Sequence, residues 1–153
     1  MSDIVSQLIA LGVFPPKKHK GALMYLTADC ALAAATPTLI SPMAVAYDVG
    51  GFTGVANRFT IPSGVKYVQL FGQVIGASQT DQLNAQIFKN GTRLPFSTNT
   101  DIDSSGADYS PVFSAPISVM AGDYFQLYAV SQLARNANPG TSNDTWMSIN
   151  VLE

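Results

Sequence analysis

Asn57-Arg58-Phe59-Thr60-Ile61-Pro62-Ser63-Gly64-Val65-Lys66-Tyr67-Val68-Gln69-Leu70 sets two alternating strands on either side of a Pro-Ser-Gly turn and reads as antiparallel β from end to end. Pro62 fixes φ and has no N–H to give a ladder, while Gly64 tolerates the positive φ of a tight turn. Beyond the turn, period-2 alternation puts Val68, Leu70, Gly72 and Val74 on one face and Tyr67, Gln69, Phe71 and Gln73 on the other. The first face is core. The second is too apolar for open solvent and too polar for the core of a monomer, so it is expected to meet a partner.

The same signals recur outward from this run. Strands are expected at Ala22–Leu26, Thr38–Ile40, Met43–Asp48, Arg58–Ile61, Lys66–Val74, Gln82–Lys89, Val112–Ser118, Asp123–Ser131 and Thr145–Leu152. Asn90-Gly91 is the strongest hairpin signal, because both residues tolerate the left-handed region of a type I′ turn. Ala121-Gly122-Asp123 is a second turn, and long polar loops are expected at Ser97–Tyr109 and Ala134–Asp144. In the last two strands Phe125, Leu127 and Ala129 oppose Tyr124, Gln126 and Tyr128, and Met147, Ile149 and Val151 oppose Trp146, Ser148 and Asn150. Tyr67, Phe71, Tyr124, Tyr128 and Trp146 would form one aromatic patch if their strands share a sheet, larger than a soluble monomer exposes. Rings capping the ends of a sandwich fit the same pattern.

The 153 residues suit one domain, in which folding buries roughly 70% of the extended surface. Charged residues are 12% of the chain, against about 25% in ordinary globular domains, which suits a protein with much of its surface covered. The net charge of −2 gives no electrostatic footprint for nucleic acid. Cys30 has no partner for an intrachain disulfide, and no Cys/His spacing suggests zinc; a small buried apolar role is expected. No cofactor is implied.

Residues 2–14 (SDIVSQLIALGVF) carry Ile4, Leu8 and Leu11 on one helical face with Val5 alongside, capped by Ser2 or Asp3 and ended by Gly12 and Pro15-Pro16. The run lacks a basic n-region and a cleavage site and is too short to span a bilayer, so neither a signal peptide nor a membrane anchor is expected. So short a helix is marginal alone and must dock. Pro15-Pro16-Lys17-Lys18-His19-Lys20 follows as an extended basic connector. The division expected is an arm and linker at 1–20 and a β domain at 21–153.

Five segments then appear in a familiar order: Gly21-Ala22-Leu23-Met24-Tyr25-Leu26, Arg58 to Val65, Phe88-Lys89-Asn90-Gly91, Ser118 to Leu127 and Thr145 to Glu153. Together they resemble the trimeric jelly roll of the complement globular head and tumour-necrosis-factor-like proteins, in the variant found in phage virion proteins. The resemblance implies an all-β, antiparallel, ten-strand, two-sheet jelly-roll sandwich that associates as a homotrimer through one sheet, with its chain ends together at the base. Tyr67, Phe71, Tyr124, Tyr128 and Trp146 are the candidate trimer interface.

No catalytic constellation is visible: His19, the one histidine, lies between lysines in a Pro-rich connector, so an enzyme is not expected. Asp101-Ile102-Asp103-Ser104-Ser105-Gly106 resembles the start of a calcium loop, but Val112 stands where the closing Glu belongs, and a solvated acidic loop with Asp101, Asp103 and Asp108 is the default. The resulting expectation is a virion structural protein, made in the host cytoplasm: a trimeric decoration (cement) protein on the phage head. It would be anchored to the major capsid protein by Ile4, Val5, Leu8 and Leu11, with Lys17, Lys18 and Lys20 against an acidic shell. Residues 1–20 suffice for an arm but not for a trimeric stalk. The alternative is a receptor-binding tip on a tail fibre or baseplate protein, whose two polar loops recognise a host-surface glycan.

Overall fold

The computed structural model describes residues 19–77, 81–95, 100–101, 108–140 and 144–152. The predicted helix of residues 2–14 lies outside them. The described chain is all β: β1 (Gly21–Leu26), β2 (Cys30–Leu32), β3 (Thr38–Leu39), β4 (Met43–Val49), β5 (Phe59–Thr60), β6 (Tyr67–Gly76), β7 (Leu83–Lys89), β8 (Thr92–Arg93), β9 (Thr100–Asp101), β10 (Asp108–Phe113), β11 (Ile117–Ser118), β12 (Tyr124–Ser131), β13 (Arg135–Asn138) and β14 (Trp146–Val151).

These strands form an eight-stranded sheet, ordered β2-β13-β6-β14-β1-β4 with β10 and β11 also on β6, and a six-stranded sheet ordered β3-β12-β7-β8, with β5 on β12 and β9 on β7. Both are antiparallel, and their inner faces make one core. Met24, Leu70, Val74, Met147 and Ile149 come from the larger sheet and Phe59, Leu83, Ile87, Phe125 and Leu127 from the smaller, all at most 1% exposed. The core faces expected for β6 and β12 are buried, as are Met147 and Ile149 of β14, whereas Val151 at its end is half-buried; Cys30 is buried as a small apolar residue.

The deciding run departs from expectation at its turn. β5 pairs with β12 in the smaller sheet and β6 lies in the larger, so the strands around Pro62-Ser63-Gly64 do not form a hairpin. Ile61 and Val65 are buried on either side of the turn, where the chain crosses from one sheet to the other. Gly64 has the expected positive φ, 86°. Asn90 and Gly91, at φ 51° and 78°, join β7 to β8 in the register Lys89↔Thr92.

The predicted strand Val112–Ser118 is split. β10 begins earlier, at Asp108, and stops at Phe113, because the Ser114 hydroxyl takes the Leu70 N–H at 3.0 Å and Pro116 has no N–H to continue the ladder. Pairing with β6 resumes at Ile117↔Val68. β13 forms inside the stretch read as a polar loop, since Arg135 and Ala137 turn inward and are buried. The described chain thus has fourteen short strands where the resemblance implied ten.

Candidate interaction face and its supports

The outer face of the eight-stranded sheet follows from its register. Phe113, Phe71, Ser148, Leu23 and Tyr47 are cross-strand partners in one continuous row over β10, β6, β14, β1 and β4. The next row is Pro111, Gln73, Trp146, Tyr25 and Ala44. Tyr109 extends the face at one end, and Gln69, Asn150 and Tyr67 at the other. Phe113 is 60% exposed, Tyr67 51%, Tyr109 43% and Tyr47 42%. β1, β6 and β14 contain no charged residue, and Asp48 of β4 sits opposite Ala22, in register with the inward-facing row. Among the described residues, this is a broad aromatic and amide face without a charge.

Tyr67, Phe71 and Trp146 of the expected patch belong to it. Tyr124 and Tyr128 do not: they stand on β12, on the outside of the other sheet. There the Arg58 guanidinium lies 4.7 Å from the centre of the Tyr124 ring, and the Tyr128 ring packs on Phe88 at 4.1 Å between centroids. The single five-ring patch is therefore corrected to two separate surfaces, since a strand's alternation tells inside from outside but not which sheet it joins. Leu23, Tyr25, Tyr47, Tyr109 and Phe113 were missed. Leu23 and Tyr25 alternate with Ala22, Met24 and Leu26 and so carried the same period-2 signal; Tyr109 was hidden by its assignment to a loop.

The end of the sandwich away from the Pro62-Ser63-Gly64 turn is held by a buried ion cluster. Arg135 donates to Asp81 through Nη2 and to Asp108 through Nη1, with no exposure of the arginine side chain. Burial by itself would raise the Asp81 carboxyl, but the Leu133 N–H at 2.8 Å, the Ser131 hydroxyl at 2.7 Å and Arg135 together hold it below the usual carboxylate range. Asp108 is thus a fully buried strand residue and not part of a solvated acidic loop. Asp103, and the side chain of Asp101, fall outside the described residues, which contain no group of three or more potential metal ligands.

At the opposite end the first described residues, His19 and Lys20, meet β14. The Val151 N–H donates to the Lys20 carbonyl at 3.0 Å, and His19 Nε2 is 3.1 Å from Asn150 Oδ1. Lys17, Lys18 and the apolar leader residues Ile4, Val5, Leu8 and Leu11 precede the described chain.

No protein-family model and no curated protein matches the chain. Among solved structures it is similar to murine APRIL at pH 5.0, with a TM-score of 0.68 and 12% identity over 88% of this chain and 100% of that one. Murine APRIL at pH 8.0 gives 0.63 and 15% over the same shares. Eiger TNF from S. frugiperda gives 0.60 and 12%, over 90% of this chain and 94% of that one. These likenesses establish a tumour-necrosis-factor-like jelly roll. At such identities they speak to fold alone.

Proposed function

We propose that this chain is a phage virion structural protein that self-associates as a homotrimer through the outer face of its eight-stranded sheet and decorates the head as a cement protein. The observation that carries the reading is that charge-free face, with Phe113, Phe71, Trp146, Tyr25 and Leu23 laid side by side across adjacent strands. Aromatic-rich composition with charge excluded is the make-up of an interface core. Three copies closing around an axis use the face without leaving an open edge. The virion setting rests on the resemblance of the sequence motifs. Tyr67, Phe71 and Trp146 lie in the trimer contact, while Ile4, Val5, Leu8, Leu11, Lys17, Lys18 and Lys20 of the arm grip the major capsid protein.

Light scattering coupled to size exclusion, together with counting copies on purified particles, tests this reading. A trimer present in hundreds of copies per particle, lost from particles but still trimeric when residues 1–20 are deleted, is the expected result. A stable monomer, or full retention of the truncated chain, overturns it.

A receptor-binding tip is the second reading, and one observation favours it. Asp108 and Arg135, one from each of the two stretches expected to recognise the host, are ion-paired in the core, which supplies those stretches with a rigid base. A handful of copies per particle would select this reading over the first.

A further inference from the structure

A pocket of about 360 Å³ opens at the base of the sandwich, lined by Gly64, Lys66, Tyr67, Val151 and Leu152. Among these, Tyr67 is half-exposed and Val151 and Leu152 are half-buried. Nothing among the described residues fills it. The hydrogen bond from Val151 N–H to the Lys20 carbonyl places the point where the leader joins the sandwich directly beside two of the lining residues. The contact between His19 Nε2 and Asn150 Oδ1 turns that junction toward the outer face of the larger sheet, the side on which Tyr67 stands.

We infer that this pocket is the seat of the leader, taking the apolar ridge of Ile4, Leu8 and Leu11 from its own chain. Three lines converge on that occupant. The ridge lies just upstream of Lys20, whose carbonyl is bonded to the lining residue Val151, and its burial, at about 25 cal/mol per Å², supplies the docking that so short a helix requires. The chain from Leu11 to Lys20 spans at most roughly 30 Å when extended, which covers the return to the pocket with length to spare. Lys66 at the rim also offers an ammonium to Asp3, the one carboxylate of residues 1–18. Docking on a shell then exchanges one apolar partner for another, and the seat itself is a property of the free protein.

Disulfide trapping in the full-length chain tests the seat without particles, so its outcome is separable from head attachment. With the buried Cys30 replaced (C30A), Q7C/K66C is compared with Q7C/L133C. Leu133 is exposed at the far end of the sandwich, the length of β6 away, about 30 Å. The tether reaches both ends, so a difference in rate reports the seat and not the reach. The expected result is Q7C–K66C bond formation at least tenfold faster than Q7C–L133C, falling to the slower rate when Leu8→Asp is added. Equal rates, or indifference to Leu8→Asp, overturn the inference. A second measurement needs no cysteine: in the otherwise native chain, Leu8→Asp is expected to speed amide exchange at Val151 and Leu152 at least tenfold. Unchanged exchange counts equally against the seat.

Discussion

Asp123 closes the turn at Ala121-Gly122 with a single carboxylate that accepts from Lys89 Nζ at 2.8 Å, Asn90 Nδ2 at 2.8 Å and the Met120 N–H at 3.0 Å. The Lys89 bond is the largest cause of a pKa lowered to about 2; burial opposes it, and the Asn90 and Met120 bonds reinforce it. A folded pKa below the unfolded one means stability that is complete at neutral pH and is lost as pH falls from about 4 toward 2. The loss is about 2 kcal/mol. Asp81 is lowered as well and adds to the same acid limb. Thermal melts should therefore show a steep fall of Tm below pH 4 in the native chain and a shallower one in Asp123→Asn, which begins from a lower Tm at pH 7. Arg135 is the most consequential charge. Arg135→Met would strand two buried carboxylates, Asp81 and Asp108, and is expected to cost about 3–5 kcal/mol in urea unfolding. An unchanged midpoint would mean that the cluster contributes nothing.

Among the elements, the β7–β8 hairpin was readable residue by residue, because its turn is local chemistry: two adjacent residues with positive φ, which Asn and Gly tolerate. Gly91→Ala should cost about 1 kcal/mol, a Tm drop of about 3 °C, without altering the fold. Gly21 is constrained differently. An added Cβ would run into the Ile149 carbonyl and the Asn150 side chain across the β1–β14 ladder, so Gly21→Ala should destabilise more than Gly91→Ala does in paired melts. The elements that could not be read depend on distant partners. β13 lies in a polar stretch and exists because Arg135 finds two carboxylates far away in sequence, and β10 ends where a serine hydroxyl replaces a backbone donor.

On the scale of the molecule, two outer faces have opposite character. The smaller sheet tucks Tyr124 under Arg58 and Tyr128 against Phe88, whereas the larger sheet leaves its row of Phe113, Phe71, Leu23 and Tyr47 open. A charge placed in that row is the sharpest probe of self-association. Phe113→Lys, at a site already 60% exposed, is expected to leave the melting of a single chain nearly unchanged. In a trimer it would bury three ammonium groups and raise the dissociation constant at least a hundredfold by analytical ultracentrifugation. Identical sedimentation of the native and Phe113→Lys proteins would show that the contact lies elsewhere.

Alternation of apolar and polar residues, with turn residues at fixed offsets, was enough in the sequence for an all-β sandwich, for the inward sides of β6, β12 and β14, and for the Asn90-Gly91 hairpin. These are local properties, written at a period of two residues or within a four-residue turn. Which strands share a sheet was decided only in three dimensions. Partner choice is set by packing between segments tens of residues apart, so the turn at Pro62-Ser63-Gly64 proved to be a crossing between sheets. For the same reason the rings of β12 parted from those of β6 and β14, while Asp108 and Arg135, each lying wholly or partly in stretches read as loop, came together in the core.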